Sequence, residues 1–333
     1  MLNILITGAH GFVGSNLSNY LASKGQYNIE ALDVSTKLKS DYNKEHTWNN
    51  FSQIDFNSIN TIIHLAGKAH DTKNTGKANE YFEINVGLTK VVFNQFLQSE
   101  ARKFIYFSSV KAVTDTVKNK ILTEEDIPNP KTPYGQSKLE AEKYILSQQL
   151  PEGKKIYILR PAMIHGPGNK GNLNLLYKLI SKGIPYPLGA FSNKRSFTSI
   201  GNLNYIIDQL IQKEIQSGIY QIADNETLST NEVIGLIANA TGRKPRIWNL
   251  PIIGVKTLAR LGDFLFLPLN SEKLKKLTEN YEVSNKKITD AIGHRLPISA
   301  HSGLLTTLDS FGNLKESDLK VSSHFNRDKL RLV

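Results

Sequence analysis

Three evenly spaced glycines, Gly8, Gly11 and Gly14, stand between a short apolar run and a helical pattern, and no other feature constrains the fold of this chain as much. Leu2 to Thr7 reads as a buried strand, and apolar positions then recur at Phe12, Val13, Leu17 and Leu21, which is helical spacing. Glycines at such a junction permit a tight bend and let backbone N–H groups approach a pyrophosphate at the helix N-terminus. The spacing is GxxGxxG rather than the GxGxxG of the usual dinucleotide fingerprint. A second strand, YNIEALDV, ends at Asp33, nineteen residues past Gly14. An acid at that place meets the adenosine ribose hydroxyls and repels a 2′-phosphate, which favours NAD over NADP. Lys37 and Lys39 soften that preference, and a plain loop-start aspartate is the alternative.

Further along, NTIIHLAG (60–67) and KFIYFSSV (103–110) read as buried parallel strands, and KIYILRPAMIHGPG holds another that breaks at Gly166–Pro167–Gly168. Helical periodicity runs between the first two of these, from Tyr81 to Phe96. The order β-α-β-α predicts an α/β fold, a Rossmann-type doubly wound parallel sheet with ligands at the carboxyl ends of the strands. Gly8, Asp33, Gly67, Ser109 and Pro161 all fall at such ends. The second half is less regular, with helices expected near 172–182, 202–213 and 230–241. The reading is a dinucleotide-binding domain over 1–165, to which part of 196–225 returns. A smaller substrate-binding lobe covers most of 166–315, and a basic tail follows over 316–333.

Tyr134 and Lys138 stand four residues apart in PYGQSKLEAEKYI, on one face of the expected helix. A cation beside a phenol favours the phenolate, so the pair predicts a tyrosine lowered from about 10 toward neutrality and able to move a proton. Composition narrows the rest. Cysteine is absent, which removes disulfides and thiol nucleophiles and fits the cytoplasm. His10, His64, His70 and His165 have no metal-ligand spacing, so no metal is expected. The longest apolar stretch, Leu258–Leu269, is broken by Arg260, Asp263 and Pro268. It reads as a helix of the second lobe, and no membrane span or signal peptide is expected. The net charge of +11 is scattered apart from Ser271–Lys276 and Arg327–Arg331, and no nucleic-acid motif accompanies it. An anionic cofactor and substrate account for it, with weak attraction to membrane surfaces left open.

TGAHGFVG, Asp33, HLAG, FSSV, PYGQSK and LRPAMIHGPG occur in the order and spacing of the extended short-chain dehydrogenase/reductase family, and the chain resembles it over about residues 1–290. FSSVKA, GNKGNLNLLYKLI and PYPLGAFSNKRSF resemble the UDP-glucose 4-epimerase-like branch. That branch includes reductases of UDP-4-keto-6-deoxy-N-acetylhexosamines from surface-polysaccharide pathways. The resemblance implies that Tyr134 is the catalytic tyrosine and that Lys138 lowers its pKa and holds the nicotinamide ribose. It makes Ser109, rather than Ser108, the partner of the reacting C4 oxygen. It places Gly8, Gly11, Phe12, Val13 and Gly14 at the pyrophosphate, and Leu65, Ala66, Gly67, Asn85 and Pro161 along the cofactor. Lys111, Asn172 and Arg195 fall to the substrate, Arg195 on its diphosphate.

Departures from the family pattern refine this. Val110 and Lys111 stand where dehydratases carry acids after the catalytic Ser/Thr, so dehydration is not expected. His165 replaces a tyrosine common in the VYGPG segment, Gly201 stands where an aspartate is usual, and a second diphosphate-binding arginine has no counterpart. The expected activity is an NAD-dependent 4-epimerase of a UDP-hexose or UDP-N-acetylhexosamine. The alternative is an NAD(P)H-dependent 4-ketoreductase, and a non-catalytic NAD-binding protein is a third reading. The family also implies a homodimer through the Tyr134 helix and the Asn85 helix, with which Leu139, Ala141, Tyr144 and Ile145 are compatible, as they equally are with packing on the sheet.

Overall fold

The structure, a computed structural model, describes residues 1–37, 41–68, 78–117, 120–169, 171–265 and 270–312. Lys39, His70 and the tail from 316 onward lie outside the described residues. The strands are β1 (Leu2–Thr7), β2 (Tyr27–Asp33), β3 (Lys44–Thr47), β4 (Thr61–His64), β5 (Lys103–Phe107), β6 (Ile121–Leu122), β7 (Lys155–Pro161), β8 (Met163–His165), β9 (Phe197–Ser199), β10 (Gly218–Ile222) and β11 (Glu282–Val283). The helices are α1 (Phe12–Ser23), α2 (Ala78–Phe82), α3 (Leu88–Gln98), α4 (Pro133–Ser147), α5 (Asn172–Ser181), α6 (Ile200–Gln212), α7 (Thr230–Ala240), α8 (Ile252–Leu265), α9 (Ser271–Thr278), α10 (Lys286–Ile292) and α11 (Ala300–Gly312).

Seven strands form one parallel sheet in the order β10-β7-β5-β4-β1-β2-β3. Alternation along each strand decides which side a residue fills. Ile4, Ile6, Ile63, Ile105 and Leu159 pack on one side with Leu17 of α1, Leu203 and Ile207 of α6, and Ile288 of α10. Leu5, Ile62, Phe104, Tyr106 and Ile158 pack on the other with Phe93 and Phe96 of α3 and Ala141 and Ile145 of α4. Helices on both sides make the sheet doubly wound, as the βαβα pattern requires. The chain builds outward from β1 through β2 and β3, then restarts at β4 on the opposite side of β1. The crevice beyond the carboxyl ends of β1 and β4 is therefore the switch point of the sheet.

Two elements depart from the sequence reading. The polar stretch after Asp33 contains β3, which pairs with β2 from Glu30↔Lys44 to Asp33↔Thr47. An edge strand needs no apolar run, and β3 is held partly by polar contacts such as His46 Nε2 to Glu30 Oε2 at 2.7 Å. The helix expected from Tyr81 to Phe96 is interrupted by a π-helical turn, Glu83–Gly87, between α2 and α3. A separate apolar cluster joins α5, α7, α8 and α11 through Leu173, Ile180, Ile237, Val255, Leu304 and Leu308. Among the described residues no helix is long and apolar enough to cross a membrane.

Candidate active site

At the end of β1 the chain turns through Gly8 at φ +70°, and a Cβ there would lie 2.8 Å from the Ala66 backbone nitrogen. Any other residue would be strained in its own backbone and would push β4 away. A Cβ on Gly14 would meet the Gly8 carbonyl at 2.5 Å, so α1 lies directly on the turn. Gly11 precedes α1 and supplies no side-chain cap. The first-turn amides, which include Phe12 and Val13, are thus a ready site for an anion. Asp33, at the end of β2, is aimed by two backbone amides: Oδ2 accepts from His10 N at 2.8 Å and Oδ1 from Val34 N at 2.7 Å. Lys37 reaches the same turn, its Nζ donating to the His10 carbonyl at 3.4 Å.

Beyond β4, Leu65 N donates to the Thr7 carbonyl at 3.1 Å and Ala66 N to Thr7 Oγ1 at 3.1 Å, so the two strand ends are tied together. Gly67 opens a cradle: a Cβ there would sit 2.8 Å from Asn85 Oδ1 and 3.2 Å from Lys138 Nζ. Asn85 lies in the π-helical turn, 1% exposed. Its Oδ1 accepts from Lys68 N at 2.7 Å and its Nδ2 donates to Ser137 Oγ at 2.9 Å. One side chain therefore couples the loop after β4 to α4.

The candidate trio, Ser109, Tyr134 and Lys138, comes from the turn after β5 and from α4. Thr132 caps α4, with Oγ1 accepting from Gly135 N at 3.3 Å, and Asp115 fixes that cap by accepting from Thr132 Oγ1 at 2.9 Å. A Cβ on Gly135 would lie 2.4 Å from the Lys111 carbonyl, so the helix start presses onto the turn that follows Ser109. This approach places the Tyr134 hydroxyl beside Ser109, whose hydroxyl counters the effect of burial on the phenol. Lys138, 5% exposed, donates to the Phe107 carbonyl at 2.8 Å and lies 5.1 Å from the centre of the Tyr106 ring. Lys111 Nζ donates to the Asp115 carbonyl at 2.8 Å and stands 4.4 Å from the Tyr281 ring centre. Arg195 is pinned by its backbone between Leu228 and Tyr281. Pro161 ends β7 opposite Ile222, and Asn172 is exposed on the first turn of α5.

Electrostatics correct one expectation. The Tyr134 phenol is raised above its usual value, because burial outweighs the stabilising hydrogen bond from Ser109. Lys138 is lowered to about 8 by burial, against the pull of Glu142. The protein alone thus keeps the tyrosine neutral, and Lys138 spends a hydrogen bond on a backbone carbonyl. Of the apolar positions of α4, Ala141 and Ile145 pack against the sheet, one of the two readings open to them.

Sequence reasoning missed the support beneath the trio. Glu142 and Arg160, 1% and 2% exposed, form a two-pronged pair with Nε to Oε1 at 2.9 Å and Nη2 to Oε2 at 2.5 Å. Ser108 also donates to Glu142. The signal was present: an arginine inside the apolar strand KIYILRP demands a buried acid, and Glu142 follows Lys138 by four residues. His64 and His165 are fully packed, His64 between Thr7 and Thr89 and His165 against Thr307. Among the described residues no group of His, Asp or Glu is placed to hold a metal ion.

A glycine turn at the switch point, an aimed carboxylate after β2 and a Ser-Tyr-Lys set on β5 and α4 define the dinucleotide-dependent class of Rossmann enzymes, and the cradle at Gly8 and Gly67 fits such a cofactor. Residues 4–223 match the model of the NAD dependent epimerase/dehydratase family. The chain belongs to that family, within the extended short-chain dehydrogenases/reductases, and is a sugar-nucleotide enzyme with NAD as cofactor. It is 29% identical to a UDP-glucose 4-epimerase of Vibrio cholerae, over 93% of this chain and 95% of that one. It is 26% identical to the N-acetyl-alpha-D-glucosaminyl-diphospho-ditrans,octacis-undecaprenol 4-epimerase of Escherichia coli O157:H7, over 96% and 99%. Among solved structures, the UDP-N-acetylglucosamine 4-epimerase of Bacillus cereus superposes with a TM-score of 0.72 at 21% identity, over 93% and 98% of the two chains. At that identity the likeness speaks for the fold.

Proposed function

We propose that this chain is an NAD-dependent 4-epimerase of a UDP-hexose or UDP-N-acetylhexosamine. The observation that carries this reading is Tyr134 beside Ser109 at the start of α4, with buried Lys138 one turn along the same helix. The epimerase names of full-length relatives support it. NAD, when bound, supplies the acceptor and later the donor of a hydride at the sugar C4. The residues of the chain do the rest. Tyr134, as the phenolate, takes the proton of the C4 hydroxyl at Oη, and Ser109 polarises the same oxygen. Lys138, charged below about pH 8, favours that phenolate against the burial that keeps the phenol neutral in the protein alone. Arg195, Lys111 and Asn172 fall to the substrate, Arg195 to its diphosphate. The 4-keto sugar turns over in the pocket and Tyr134 returns the proton. Asp33 hydrogen-bonds the adenosine ribose, and Gly8 to Gly14 hold the pyrophosphate.

The test is incubation of the purified protein with UDP-N-acetylglucosamine and no added reductant, followed through the anomeric proton signals. Appearance of UDP-N-acetylgalactosamine is the expected result. No conversion of this substrate or of UDP-glucose, by protein that retains NAD, overturns it. Turnover of a 4-keto-6-deoxy sugar with NADH would then assign the same side chains to a ketoreductase.

A further inference from the structure

We infer that the outward face of α8, with the basic segment that leads into it, is a docking surface for an anionic lipid bilayer. The helix is attached to the body by a narrow stripe of small residues, Val255, Ala259 and Gly262. Around it the sequence is apolar where burial would not require it. Ile253 is 81% exposed, Leu258 58%, Leu261 51%, Phe264 84% and Leu265 60%. At about 100° per residue these five occupy one arc of about 140°, on the side away from Ala259. Among the described residues, no packing accounts for an apolar arc of this size on an outer helix.

The charges identify the occupant. Lys256 and Arg260 border the arc, and Arg243, Lys244 and Arg246 precede it, all of them exposed. Across 242–265 there are five cations and one carboxylate, Asp263, whose Oδ1 accepts from Ser271 N at 2.9 Å. Trp248, 55% exposed, stands between the cations and the helix. An apolar arc with a cationic border and a tryptophan is the composition of a helix that lies in a membrane interface. At 14 residues α8 is about 21 Å long, too short to span, so it lies on the bilayer rather than through it. A second copy is a poorer occupant. A two-fold contact would bring two cationic borders together, with Asp263 the one carboxylate of 242–265 to offset them. The inference is independent of which sugar is epimerised.

The experiment is flotation of the full-length protein with vesicles of phosphatidylglycerol and phosphatidylcholine, against pure phosphatidylcholine vesicles. Binding is expected on the anionic vesicles, weaker by about tenfold on neutral ones, and falling as salt is raised. L261D/F264D should reduce binding by about tenfold or more, and K256E/R260E should remove the preference for anionic lipid. Both variants should keep wild-type thermal unfolding and NAD affinity. Absence of binding at low salt overturns the proposal. So does binding that L261D/F264D leaves unchanged, which would assign the attraction to diffuse charge. A wild-type dimer that L261D/F264D converts to monomer in light scattering overturns it in favour of a second copy.

Discussion

Lys138 is the residue on which most of the site chemistry converges. Its ammonium is buried and its pKa lowered to about 8 from 10.5. Between those two pH values the unfolded chain holds a proton that the folded chain has released. Stability therefore rises with pH across that window, and below it the cost of burying the charge, on the order of 3 kcal/mol, is present in full. Urea unfolding at pH 7.5 and pH 10 should show this rise in the wild type and a flatter response in K138M; equal slopes would remove the assignment. Activity should move the other way, falling above about pH 8 as the charge opposite the phenolate is lost. Tyr134→Phe should lower turnover by roughly 10²-fold or more while NAD stays bound, and unchanged turnover would exclude Tyr134 as the proton carrier. Glu142→Gln leaves Arg160 buried without its carboxylate, for which about 3–5 kcal/mol of lost stability is expected in denaturant melts. The spacing of Tyr134 and Lys138 was legible in the sequence, but the raised phenol was not. Spacing reports which groups share a helix face, whereas the shift depends on how much water the folded chain excludes.

At the scale of elements, strands with apolar runs and helices with apolar stripes were readable, because burial on both faces of a parallel sheet writes itself into composition. The edge strand β3 was not, since one of its edges faces no neighbour and its sequence, KEHT, is polar. Nor was the π-helical turn, because the apolar spacing through Tyr81, Val86 and Val92 survives one inserted residue. Buried lysines at helix ends were equally hidden. Lys103, at the start of β5, donates to the carbonyls of Leu210, Ile211 and Lys213 at 3.1, 2.8 and 2.8 Å, closing the end of α6. Burial lowers its pKa. Lys103→Met should cost about 2 kcal/mol and speed amide exchange in the last turn of α6. Unchanged exchange there would show that water replaces the cap at no cost.

For the molecule as a whole, the cofactor half and the C-terminal half are not separable in sequence. One side of the central sheet is covered by α6, and α10 places Ile288 and Ile292 in the same cluster, with Leu296 beside them. A fragment of residues 1–225 therefore exposes the part of this cluster, at β10, that α10 covers. It should neither unfold cooperatively nor bind NAD, both of which are expected of the full chain. A 1–225 fragment with wild-type NAD affinity would show that the late segment is dispensable. The family match, which ends at residue 223, does not mark this dependence.

That late return has a consequence during synthesis. A ribosome releases all seven strands, with α1 and α6, before Ile288, Ile292 and Leu296, so the nascent chain holds a sheet whose one face still lacks its last apolar cover. That part of the core cannot close while the segment is being made. Until it arrives, the apolar residues it covers are a surface that a holding chaperone would find.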